Sequence, residues 1–191
     1  SKTFLELRLS VTGRSKEDWT ELAQWAERWN VSSTHNRWVV QFPRVYQHIR
    51  AQRDSFSVAE YLNNLFAPLF EATRDPVGNK TLADFLLTVS GFDSVDDESV
   101  IDQTIAHHAI PADDWNSAHN PPYFYYMYYF YANIVALNVY RMLRGLNTFD
   151  FRPHCGESGH ICHLAAAFLT SKAINHGIRL MANWPLQYLY Y

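Results

Sequence analysis

The apolar positions along the chain switch between two spacings. "FLELRLSV", residues 4–11, alternates apolar and polar side chains as a strand does. "SKEDWTELAQWAERW", residues 15–29, repeats apolar groups every three or four positions and predicts a helix, with Ser15 as cap and Asp18 as its third residue. "RWVVQFPRV", residues 37–45, returns to a strand, ended by Pro43. "SVAEYLNNLFAPLFEAT", residues 57–73, opens with a capping box from Ser57 to Glu60, and Pro68 is expected to kink or interrupt the helix that follows. A short helix over 81–89 and a strand over 89–95 come next, then an aromatic helix over 123–140 stopped by Gly145. The remainder predicts a strand over 147–151 running into "HCGE", a helix over 160–173, a strand over 173–180, and in "WPLQYLYY" the opening of a further helix.

Strand and helix alternate with no Asn-Gly or Asp-Gly hairpin between strands, so the fold class is α/β, a parallel sheet wrapped by helices. A doubly wound sheet and a (β/α)8 barrel both satisfy the pattern. The barrel is favoured because Arg8, Asp93, His154, Glu157 and His176 gather where strands end, as barrel sites do. The expectation is a partial TIM (β/α)8 barrel. Residues 1–191 would be the central part of a single catalytic barrel domain, truncated at both ends, because a complete barrel takes roughly 250 residues.

Composition narrows this further. With 48% hydrophobic residues the chain can bury one sizeable core. The net charge of −3, without a block of like charge, excludes the basic face that nucleic acid or an anionic membrane needs. Two cysteines build no disulfide framework, which points to a reducing, cytoplasmic setting. The uncharged run 123–140 carries seven tyrosines and two asparagines, whose polar groups hydrocarbon would leave unpaired, so it reads as a buried helix and not a membrane span.

The chemistry concentrates in "RPHCGESG", residues 152–159, at a strand-to-helix junction. His154 offers a nitrogen suited to zinc, Glu157 follows three positions later beyond a glycine, and His176 stands in "NHGIRL" at another strand end. Two histidines and a glutamate so placed could hold an activated water, give a proton and take one. Spacing alone leaves the plainer alternative open, since a strand-end histidine can merely cap a helix. Asp93 and Asp96 likewise read two ways: Asp93 could bond to the loop carrying His154, or both could be solvated loop carboxylates. Cys155 lacks the partners of a nucleophile.

Taken in order, "ELRLSVTGRSKEDW", "NLFAPLFEAT", "GFDSVDDES", "NPPYFYYMYYFYAN", "FRPHCGESG" and "INHGIRL" resemble the AMP deaminase family over nearly the whole chain. The resemblance implies a zinc-dependent (β/α)8 hydrolase that converts AMP and water to IMP and ammonia. It implies His154 as a Zn2+ ligand, Glu157 as the substrate-contacting acid that protonates the purine ring nitrogen, and His176 as the group that helps deprotonate the attacking water. It also implies a homo-oligomer in the full-length protein. The family's H-x-H ligands and its late Asp-Asp, one further ligand with a catalytic neighbour, are not in this chain, whose elements would then be about the second to sixth strands of eight, inactive alone. A metal-free homologue kept as a binding or oligomerisation partner, or a deaminase of adenosine, are the rival readings. Nothing in the resemblance asks for ligands at His160 and His163 or at His107 and His108.

Overall fold

The computed structural model describes residues 3–102 and 110–191. Four parallel strands form the main sheet in sequential order: β1 (Leu5–Ser10), β2 (Asn36–Pro43), β3 (Val89–Val95) and β4 (Asp150–Phe151). Two very short strands, β5 (His154–Cys155) and β6 (Asn175–His176), pair in parallel beside it. The helices are α1 (Glu17–Arg28), α2 (Tyr46–Arg50), α3 (Val58–Arg74), α4 (Lys80–Leu86), α5 (Tyr123–Leu143), α6 (Cys162–Thr170) and α7 (Trp184–Tyr190). A parallel α/β architecture is thus present, as the alternation of periods predicts.

The two faces of the sheet differ. On one, Val40 and Phe42 of β2 and Phe92 of β3 pack under the helices. Phe42 stacks on Phe92 at 5.0 Å and meets Phe66 of α3 and Phe130 of α5 edge-on at 5.5 Å each. Such aromatic pairs add about 0.5–1.5 kcal/mol each beyond their burial. On the other face polar side chains bond across the strands: Arg152 Nη1 and Nη2 to Glu6 at 2.9 and 2.7 Å, Ser90 Oγ to Glu6 at 2.7 Å, and Gln41 Nε2 to Asp93 at 3.0 Å.

The aromatic helix is α5, and the hydroxyls of its three buried tyrosines are satisfied by protein. Tyr125 donates to Ile110 O, Tyr126 to Asn120 Oδ1 and Tyr123 to His154 O. No helix among the described residues is long and apolar enough to cross a membrane. Gly145, with φ +69°, follows the helix, and the Leu146 N–H bonds back to Arg141 O to close the end.

Several expectations are corrected. α3 is not interrupted at Pro68: Leu65, Phe66 and Leu69 around it are all buried, and their packing carries the helix across the missing N–H. Ser57 does cap it, accepting from Glu60 N at 3.0 Å. Ser15 is not a cap: its Oγ bonds Asp18, whose carboxylate also takes the N–H and hydroxyl of Thr12, so the pair ties the turn before α1. The strand expected over 147–151 shrinks to two residues. The one expected over 173–180 shrinks to Asn175–His176, since His176 and Gly177 both turn left-handed and lead into a 3-10 turn over Ile178–Ala182.

Candidate functional site

Segment 150–155 passes from one sheet to the other. Arg152 N donates to Phe92 O at 2.8 Å, pinning it to β3, while Pro153, which has no N–H, offers its carbonyl to Asn175 N at 2.9 Å. The break in pairing at proline places His154, in β5, between Asp93 of β3 and His176 of β6. The ring of His154 lies 4.9 Å from that of His176, centroid to centroid, and His176 Nε2 is 3.6 Å from Glu157 Oε2. The structure therefore brings together the three residues singled out in the sequence.

His176 has φ +73°, a conformation that L residues adopt at a cost of about 1–3 kcal/mol, and such strain collects at functional sites. It is held by its neighbours: Gly177 N donates to Cys155 O at 3.0 Å and Arg179 N to Gly156 O at 2.8 Å.

Beneath His154 lies Asp93, with no exposed surface at all. Its carboxylate accepts the His154 N–H at 2.9 Å, Gln41 Nε2 at 3.0 Å and Arg8 Nε at 3.3 Å, and the His154 ring Nδ1 is 2.9 Å away. A carboxylate surrounded by donors has only acceptor capacity to offer, so Nδ1 carries the ring proton. In the neutral imidazole Nε2 is then the nitrogen with the free lone pair, which is the form a metal ligand requires. Arg8 Nη2 reaches on to Asn175 Oδ1 at 2.7 Å, linking β1 to β6 through the same network.

A profile of the AMP deaminase family matches residues 2–191. The chain belongs to that family. It is 49% identical to AMP deaminase 3 of Rattus norvegicus over 98% of this chain and 25% of that protein. It is 45% identical to AMP deaminase of Dictyostelium discoideum (97% of this chain, 23% of the other) and 46% identical to AMP deaminase of Saccharomyces cerevisiae (97% and 23%). The chain spans about a quarter of the length of the curated relatives it matches.

Within this family member, Asp93 and Asp96 part company. Asp93 is buried beneath His154, and Asp96 is an exposed loop residue whose Oδ1 accepts the Asp97 N–H. The reading of Asp93 as a solvated carboxylate is therefore replaced by the reading in which it bonds to the His154 loop. Gln41 was missed, although the alternation of β2 puts it on the polar face.

His163 is buried, stacked on Tyr123 at 4.3 Å and 3.1 Å from Asp102, while His160 Nδ1 accepts the Cys162 N–H. His163 thus serves packing, and His160, which is exposed, ties the turn into α6. His107 and His108 lie outside the described residues. Burial pushes the Cys155 thiol up to about 12, which suits an inert core group and not a nucleophile. Among the described residues no group of three or more histidine, cysteine or acidic side chains comes together to hold a metal. The donor set fits zinc as one oriented imidazole, His154, with its carboxylate partner. Glu157 has 57% of its side chain exposed in this chain.

Proposed function

We propose that this chain is the central piece of the catalytic (β/α)8 barrel of an enzyme that deaminates AMP hydrolytically to IMP and ammonia with the help of zinc. The observation that carries the reading is the meeting of His154, Glu157 and His176 at the ends of parallel strands in a member of this family. The barrel is supported by sequential parallel strand order and by the polar second face, since an open parallel sheet normally buries both faces under helices.

In this reading His154 Nε2 is one zinc ligand, held in register by Asp93, and the remaining ligands come from parts of the protein outside this chain. Zinc, when bound, would lower the pKa of water to about 7, making hydroxide available near neutral pH. Glu157 gives its proton to the ring nitrogen beside the amino-bearing carbon as the water oxygen bonds to that carbon. Electron density displaced from the broken aromatic system then rests on a protonated nitrogen. His176 accepts the proton leaving the water. Its strained backbone and the pinning of Gly177 keep the imidazole beside Glu157. His176 passes that proton to the amino group, the C–N bond breaks and ammonia departs, and the remaining hydroxyl proton returns to Glu157 as the carbonyl forms. Because Glu157 must be protonated to act, segments outside this chain would cover it and exclude water.

The test is Glu157→Gln in the whole protein, with AMP and adenosine compared. The variant is expected to bind AMP as the parent does and to release ammonia about 10²–10⁴-fold more slowly. Near-normal turnover by the variant would remove Glu157 from its role. A zinc-loaded parent that releases no ammonia from AMP would overturn the functional reading itself.

A further inference from the structure

Glu98 lies in the loop after β3, in the acidic run "DDES", yet only 4% of it is exposed. Its Oε2 accepts the N–H of Gly156 at 2.7 Å and of Glu157 at 3.2 Å. Its Oε1 is buried and has no hydrogen-bond partner among the described residues. A second point of attachment lies beside it. A Cβ on Gly159 would come within 2.1 Å of Glu98 O, so the two backbones are in direct contact there. From the helix side Tyr123 Oη donates to His154 O at 3.0 Å.

Gly156, with φ +75°, is the joint immediately before the acid, and glycine is the residue most free to rotate. Two N–H groups on one carboxylate oxygen remove that freedom, because they fix the peptide planes on both sides of Gly156. Charge-assisted bonds of this kind are shorter and stronger than neutral ones. An acid left partly unsatisfied in a buried setting calls for a purpose beyond packing.

We propose that Glu98 is a positioning residue that grips the loop from behind and aims the Glu157 carboxyl at the substrate ring. This rests on the reading of Glu157 as proton donor. Neither Gly156 N–H nor Glu157 N–H is then free to contact substrate, and Glu98 itself touches no reacting atom.

The experiment compares Glu98→Ala, Glu98→Asp and Glu98→Gln in the whole protein by ammonia release from AMP, zinc content and amide hydrogen exchange over residues 155–159. Glutamine keeps an oxygen at the same reach for both amides. Aspartate keeps the charge but draws it back by one methylene. Alanine and aspartate are expected to lower kcat about 10–100-fold, the scale of a misplaced reacting group, with KM and zinc content nearly unchanged. Exchange at 155–159 should speed up in both, while glutamine retains most of kcat and the slow exchange. Parental kcat and exchange in the alanine variant would overturn the proposal, as would a glutamine variant that loses as much as alanine. If alanine does not fold, the aspartate–glutamine contrast decides. Exchange judges the grip even if the parent releases no ammonia, so failure of the clamp and failure of the deaminase reading are told apart.

Discussion

Replacing Asp93 with asparagine isolates what its carboxylate does. Four N–H groups converge on two oxygens: the His154 amide, the His154 ring, Gln41 and Arg8. Asparagine has one acceptor oxygen, and its amide nitrogen would face donors. If the oxygen stays toward His154, Gln41 can flip its own amide to accept, but Arg8, which has no acceptor, loses its bond. The two His154 bonds become neutral and weaker. A hydrogen bond to a charged group contributes about 1.5–3 kcal/mol and a neutral one roughly 1, so the loss of stability should be roughly 2–4 kcal/mol. The imidazole is also held less firmly in its tautomer, and partners of this kind typically change metal affinity about 10–100-fold. Urea denaturation of the metal-free protein gives the first quantity, and zinc competition against a chromophoric chelator the second. Unchanged zinc affinity together with an unchanged urea midpoint would refute the assignment of Nδ1 as the protonated nitrogen.

Two other expectations concern the same strand ends. Because His176 is left-handed, His176→Gly should be more stable than His176→Ala by roughly 1 kcal/mol, and both should lose ammonia release; an alanine variant as stable as the glycine one in chemical denaturation would contradict the strain. Peptide mapping after alkylation at pH 8 should find the exposed Cys162 labelled and the buried Cys155 unlabelled until the protein is unfolded, with equal labelling of both in the native state speaking against burial. Since the Cys155 thiol is raised from 9.0 to about 12 by burial, the native state holds its proton more tightly than the unfolded chain does. Its contribution to stability is therefore complete below pH 9.0 and falls as the pH rises toward 12.

The sequence was most legible where one local rule decides the outcome. β3 lies where its pattern put it, 89–95, and α3 starts at the capping Ser57. His154, Glu157 and His176 stood out because an imidazole-glycine-carboxylate run and a His-Gly pair at strand ends carry chemistry in few letters. Strand lengths near the site were misread because hydrogen-bond pairing there is broken by Pro153 and by the left-handed turn at His176, neither of which disturbs the apolar pattern. The acids between 93 and 98 show the deeper limit. Asp93, Asp96, Asp97 and Glu98 look alike in the sequence, and only the middle two remain in solvent. Asp93 is buried because β3 alternation turns it toward Gln41, 52 positions away, and toward Arg8, 85 away. Glu98 is buried because two amides nearly 60 residues later point at it. A carboxylate is buried only where enough N–H donors arrive to replace its water, and those donors come from other strands and loops. The cost of dehydrating two acids is thus met by the groups whose placement the chemistry needs, His154 for one and the Glu157 amide for the other. That is why the two acids hardest to read from sequence lie directly behind the residues easiest to read.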